Sequence, residues 1–290
     1  MSNSEFKWVR SIFGKGEDAA KKYHFIPDKG MNKVLKDWHS KQPEREFDCA
    51  TPSRLTQCPR SVWLQTRGVE RTNDIGWGTQ QRMMLGRQLE DMFAMQLKDE
   101  GILLHHWKDN RGDEVLKFAL GEGTSRLEGV PDYLLNLDGK PAVSDAKTSR
   151  SDSFGYVAID APEIWEDGGW YKYKIQVEAY YKLLHSDTGK RWLAENNLPL
   201  PEQCHLFSYA LDDGIVRREV VWTPTARDLE VVDFYTERFN RAMSAKTAPD
   251  CTCTDNDGFE QKFCMYGIME KGDKVCSTCC NDDLILKVKE

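Results

Sequence analysis

The stretch that most constrains this chain runs from residue 130 to residue 148. Leu134-Leu135-Asn136-Leu137 and Lys140-Pro141-Ala142-Val143 flank Asp138-Gly139. Two short apolar runs around Asp-Gly predict a β-hairpin. With Asp138-Gly139 as a two-residue turn, Leu137 pairs with Lys140, and counting back sets Asp132 opposite Asp145. Directly opposed residues on one face have Cβ atoms about 4.5–5.5 Å apart. Lys147 follows Asp145 by two residues, so it shares that face. Two carboxylates and an ammonium thus converge on one patch of sheet. A plain surface hairpin does not explain this, because like charges directly opposed are destabilising. A hard divalent cation does, since it takes oxygen ligands and offsets both charges.

Helices and strands are predicted to alternate around this hairpin. Ser53, after Pro52, is a candidate N-cap for a helical stretch. Residues 85–98 predict an amphipathic helix, with Leu85, Leu89, Met92 and Phe93 apolar. Residues 114–120, 126–137 and 141–148 predict strands, and 149–170 an irregular loop. Residues 172–184 predict a helix. Residues 205–211 and 215–222 predict a second hairpin around Asp212-Asp213-Gly214. Residues 225–244 predict a helix capped at Thr223 or Thr225. This order indicates a mixed α/β or α+β layer, with the acidic hairpin near its centre.

A chain of 290 residues is long enough for one large core with appendages. The expected division is an N-terminal arm over 1–48 whose function is not readable, a core over 49–248, and a cysteine-rich tail over 249–290. No apolar run approaches a membrane span, and residues 1–10 lack the apolar core of a signal peptide. The expectation is a cytoplasmic protein with no membrane partner. The formal net charge of -7 argues weakly against nucleic acid as a partner. Between residues 53 and 88, however, Arg54, Arg60, Arg67, Arg71, Arg82 and Arg87 stand against Glu70 and Asp74. Such a segment suits an enzyme that meets a polyanion along one groove; an ordinary solvated surface is the alternative.

Further residues complete a candidate site. Glu90 lies mid-helix with Gly86 and Ala94 one turn away on either side, small neighbours that allow close approach to a sheet. Gln176 and Tyr180 share a helix face, where a buried amide can orient water or backbone. Gly129-Val130-Pro131-Asp132, Asp145-Ala146-Lys147 and Gln176-x-x-x-Tyr180, in this order, resemble the PD-(D/E)xK nuclease superfamily, and within it the RecB-like exonuclease branch. Gly86-x-x-x-Glu90 stands where that branch carries a Gly followed by His or Glu. Cys58-Pro59-Arg60 looks like its N-terminal Cys-Pro-Arg segment. The match covers about residues 53 to 222. One departure is Asp145, where the family more often has Glu.

The resemblance implies a restriction-endonuclease-like α/β core, a mixed central sheet flanked by helices. It implies Mg²⁺ or Mn²⁺ held by Glu90, Asp132 and Asp145 with the Ala146 carbonyl, and Lys147 orienting or activating water. Gln176 and Tyr180 would position that water, Lys147 or the strand. Arg54 and Arg60 would contact phosphates; for Trp63 and Trp77, core packing competes with base stacking. The expected activity is metal-dependent hydrolysis of DNA phosphodiesters, as an exonuclease on ends or single strands in replication, recombination or repair. No phosphate-loop motif is present, so a helicase or recombination protein would be a separate partner. The alternative is a non-catalytic DNA-binding subunit of a recombination complex.

Six of the nine cysteines, Cys251, Cys253, Cys264, Cys276, Cys279 and Cys280, lie in the tail. An odd count without a secretory signal favours metal ligation over disulfides. The resemblance implies a [4Fe–4S] cluster using Cys58 with tail residues such as Cys264, Cys276 and Cys279, although the spacing departs from the family's. Cys276-x-x-Cys279 equally suits a self-contained Zn²⁺ site. Cys49 and Cys204 are expected to be structural.

Overall fold

Asp138 and Gly139 adopt φ of 50° and 84°, the paired left-handed conformation of a tight hairpin turn. They join β4 (Tyr133–Leu137) to β5 (Lys140–Ser149). The ladder runs from Leu137↔Lys140 to Tyr133↔Ser144, as the sequence register requires. The computed structural model describes residues 33–34, 37, 48–69, 77–107, 117–149, 168–211, 214–249, 268–270 and 273–275. The chain divides into two units, Met1–Arg45 and Glu46–Glu290, and the hairpin belongs to the second.

The described helices of this second unit are α1 (Pro59–Gln65), α2 (Trp77–Asp99), α3 (Gly168–Leu184), α4 (Asp187–Glu195) and α5 (Ala226–Ser244). Its other described strands are β1 (Leu103–His106), β2 (Phe118–Leu120), β3 (Leu127–Gly129), β6 (Gln203–Ala210), β7 (Ile215–Trp222), β8 (Ile268–Glu270) and β9 (Asp273–Val275). The main sheet has the order β1-β4-β5-β6-β7. β5 pairs antiparallel with β4 and parallel with β6. A parallel pair cannot close through a short turn, so the chain crosses over through α3 and α4. The protein is therefore α/β, with a mixed central sheet flanked by helices.

Alternation along the buried strands builds two cores. On one face, Phe93 and Ala94 of α2 pack with Tyr133, Leu135, Ala146 and Phe207. A Cβ on Gly86 would lie 2.9 Å from Thr148 Oγ1, so α2 does come close to β5 there. On the other face, Leu134, Val143 and Leu206 meet α3 through Ile175, Ala179 and Leu183. Ser144, His205 and Glu219 form a hydrogen-bonded row across three strands, with contacts of 2.8 and 3.1 Å.

Several sequence expectations change. Residues 126–137 form two strands in different sheets. Pro131 has no N–H to donate to a ladder, and the chain breaks there. Gly129 is required by packing, since a Cβ would sit 2.6 Å from Pro52 Cδ. Ser53 is not an N-cap; it lies within a 3₁₀ turn, Pro52–Arg54. Strand β1 and helix α4 lie outside the predicted elements. Among residues 114–120 only 118–120 are described as strand, and 150–167 and most of the tail lie outside the described residues. No helix among the described residues is long and apolar enough to cross a membrane.

Helix α5 is capped reciprocally at Thr225. Thr225 N–H and Oγ1 donate to Asp228 Oδ2, and Asp228 N–H donates back to Thr225 Oγ1. Lys174 of α3 pairs with Asp228 and, at 2.7 Å, with buried Glu178. Burial raises the Asp228 carboxyl, but hydrogen bonds from Lys174 and Thr225 outweigh it and hold the carboxyl below its usual range. A carboxylate depressed on folding stabilises above its unfolded pKa, and that stability is lost as pH falls through the folded value. Asp228→Ala is expected to cost about 1–2 kcal/mol at neutral pH. The cost should shrink in acid, as denaturant melts at both pH values would show.

Candidate active site

Asp145 is 1% exposed at the centre of the sheet, on the face covered by α3. The same pleat that puts Ala146 under α2 turns Asp145 and Lys147 towards α3. Lys147 Nζ lies 2.5 Å from Asp145 Oδ2. Gln176 Nε2 donates to Asp145 Oδ1 at 3.1 Å and to Tyr180 Oη at 3.1 Å. Both amide protons of Gln176 are thereby used, which fixes the Asp145 carboxylate plane.

Asp132 directly precedes β4, so the register sets it opposite Asp145. Its carbonyl accepts from Trp107 N–H at 3.1 Å. Its Oδ2 accepts from Ala146 N–H at 3.1 Å, so the side chain caps β5 where the β4 ladder has ended. Glu90 belongs to α2, and its carbonyl accepts from Tyr133 Oη at 2.8 Å.

The electrostatics follow from burial and like charge. Burial first, then the Asp145 charge, pushes the Asp132 carboxyl well above its usual range; Lys147 opposes the shift and Glu90 adds to it. Burial alone would lower the Lys147 ammonium, but the Asp145 and Asp132 charges outweigh it and the pKa is raised. Burial also raises the Tyr180 phenol well above its usual value, keeping it neutral.

The donor set suits a hard cation in chemistry and charge. Asp145 Oδ2 is buried against the Lys147 ammonium, 2.5 Å away. With Glu90, Asp132 and Asp145 ionised and Lys147 protonated, these four groups carry a formal charge of -2. As placed, the three carboxylates do not close to a triplet within 4.8 Å. The described residues that do are Asp48, Cys49 and Glu128. Arg126 already pairs with Asp48 at 3.1 Å and Glu128 at 2.5 Å. Burial, with Glu128 beside it, pushes the Cys49 thiol up to about 11. A neutral thiol between two arginine-paired acids reads as an ion-pair cluster.

The two arginines expected on phosphates are half-buried and have partners within the fold. Arg54 hydrogen-bonds Gln57 and Gln65, and Arg60 Nε donates to Pro249 O at 2.6 Å. Trp63 is core, with Nε1 donating to Ala245 O at 2.9 Å. The side chain of Trp77 and all of Cys264, Cys276 and Cys279 lie outside the described residues. Cys58, Cys49 and Cys204 are buried. Tyr173 was not among the expected site residues, yet Lys147 Nζ stands 5.1 Å from its ring centroid. Its spacing three residues before Gln176 was the available signal.

No family model and no curated protein matches the chain. The crystal structure of SSO0001 is similar at a TM-score of 0.44 and 16% identity, over 82% of this chain and 95% of that one. An overlap that loose defines neither fold nor function.

A carboxyl raised on folding keeps its proton longer in the native than in the unfolded chain. Stability therefore falls as pH rises from the unfolded pKa through the folded one. Asp132→Asn keeps an acceptor for Ala146 and removes the charge. With chelator present, the variant is expected to melt above the parent at neutral pH and level with it in acid, as paired thermal scans would show.

Proposed function

We propose that this chain is a metal-dependent DNA nuclease of the PD-(D/E)xK type, RecB-like, on a restriction-endonuclease-like core. The observation that carries this reading is the Asp145 carboxylate, buried at the sheet centre between Lys147 and Gln176 with Asp132 opposite. A purely structural ion pair needs neither the second acid nor the amide.

Asp132 and Asp145, with Glu90, would hold Mg²⁺ or Mn²⁺, which when bound polarises the scissile phosphate and offsets charge on the leaving oxygen. Gln176 keeps Asp145 in one rotamer and is itself held by the neutral Tyr180 hydroxyl. Lys147, a cation as placed, donates hydrogen bonds to the attacking water or a phosphate oxygen. It serves as a positioned charge rather than as a base.

The cysteine tail would hold a [4Fe–4S] cluster with Cys58, or Zn²⁺ without it. Contacts from Arg60 to Pro249, Trp63 to Ala245 and Arg238 to Gln57 support the shared site. They draw the Cys58 segment to the end of α5, and Cys251 follows Pro249 by two residues. Anaerobically purified protein is expected to be brown and to lose iron on Cys58→Ala. Zinc content indifferent to that substitution would leave a self-contained zinc site instead.

The activity test uses labelled single- and double-stranded DNA with Mg²⁺ or Mn²⁺. Asp132→Ala and Lys147→Ala are each expected to slow cleavage by at least ~10²-fold with unchanged circular dichroism. Undiminished cleavage by both variants overturns the site. Tight DNA binding without cleavage under either ion favours the non-catalytic subunit.

A further inference from the structure

Helix α3 presents Tyr173, Gln176 and Tyr180 at positions i, i+3 and i+7, one continuous face. Gln176 donates to Asp145 and to the Tyr180 hydroxyl. Tyr173 is engaged with two ammonium groups: Lys172 Nζ stands 4.7 Å from its ring centroid and Lys147 Nζ 5.1 Å, the latter while touching Asp145 Oδ2 at 2.5 Å. Lys147 thus has two seats, a carboxylate oxygen and an aromatic face. Its side chain is 22% exposed, so leaving both seats means swinging towards solvent.

The two seats differ in what a divalent cation does to them. An ion bound at Asp145 competes with Lys147 for the same oxygen and repels the ammonium. The ring carries no net charge and is not a ligand for a hard cation, so its attraction for the ammonium persists. We infer that Tyr173 is a positioning residue, whose ring face retains the Lys147 ammonium beside the carboxylates once a divalent cation occupies Asp145. This rests on the nuclease reading for its purpose, but its geometry can be tested without activity.

The first readout is the accessibility of Lys147. Full-length protein with Mg²⁺ is labelled with an amine-acetylating reagent, and modification is quantified by mass spectrometry. Tyr173→Phe keeps the ring and is expected to protect Lys147 as the parent does. Tyr173→Leu is expected to raise labelling of Lys147 several-fold and to leave lysines away from the ring unchanged; Lys172, which also faces the ring, is scored separately. Should the leucine variant misfold, phenylalanines of increasing fluorination at position 173 serve in its place. Fluorine weakens the ring's attraction for cations at nearly constant shape, so labelling should rise with each fluorine. Equal labelling across the series overturns the inference.

Cleavage provides the second readout. Tyr173→Leu should lower kcat roughly tenfold with KM little changed, and Tyr173→Phe should restore it. A parent that never cleaves DNA sinks the nuclease reading, while labelling still decides the role of Tyr173. A parent that cleaves, with flat labelling and flat kcat across the series, sinks the role of Tyr173 alone.

Discussion

Strand β5 is paired on both edges and covered on both faces, and the rest of the second unit is arranged around that constraint. Its backbone is committed to β4 on one side and β6 on the other. Its side chains can therefore only alternate between two interiors. Ala142, Val143, Ser144, Asp145 and Ala146 are all buried. An aspartate in such a place must be compensated, because burying a charge alone is costly. Lys147 supplies that compensation from the same strand and Gln176 from α3.

The crossover between β5 and β6 completes the same site. A parallel pair requires a long connection, and here that connection contains α3. The helix that makes the fold possible also brings Tyr173, Gln176 and Tyr180 over the acids. At the other end, α1 closes onto α5 through side chains reaching late carbonyls: Trp63 Nε1 and Arg67 both donate to Ala245 O. Arg67 stacks on Trp63 at 4.2 Å. Asn240 of α5 accepts from Ala50 N–H and donates to Thr124 O and Arg126 O. Residues that look basic and phosphate-seeking in the sequence serve here as clamps on backbone oxygens.

The legible parts of the fold and site were those governed by local rules. The Asp-Gly turn fixed the β4–β5 register, and the register set Asp132 against Asp145. Gly86 did mark a close approach, with Thr148 as its neighbour. Thr225 capped α5 through Asp228 three residues on. Less legible were features set by packing at a distance. Pro131 split an apparently continuous apolar run because the two halves join different sheets. Tyr173 was missed, because nothing local reveals that a lysine from β5 stands 5.1 Å from its ring centroid.

The sequence by itself therefore determined the turn, the hairpin register, the cap of α5 and the clustering of two acids with a lysine. Each depends on backbone geometry over a few residues. Tertiary structure alone decided that this cluster is buried rather than solvated and that α3 rather than α2 covers Asp145. Those outcomes depend on which face of β5 each helix packs against, and the crossover sets that over a separation of tens of residues.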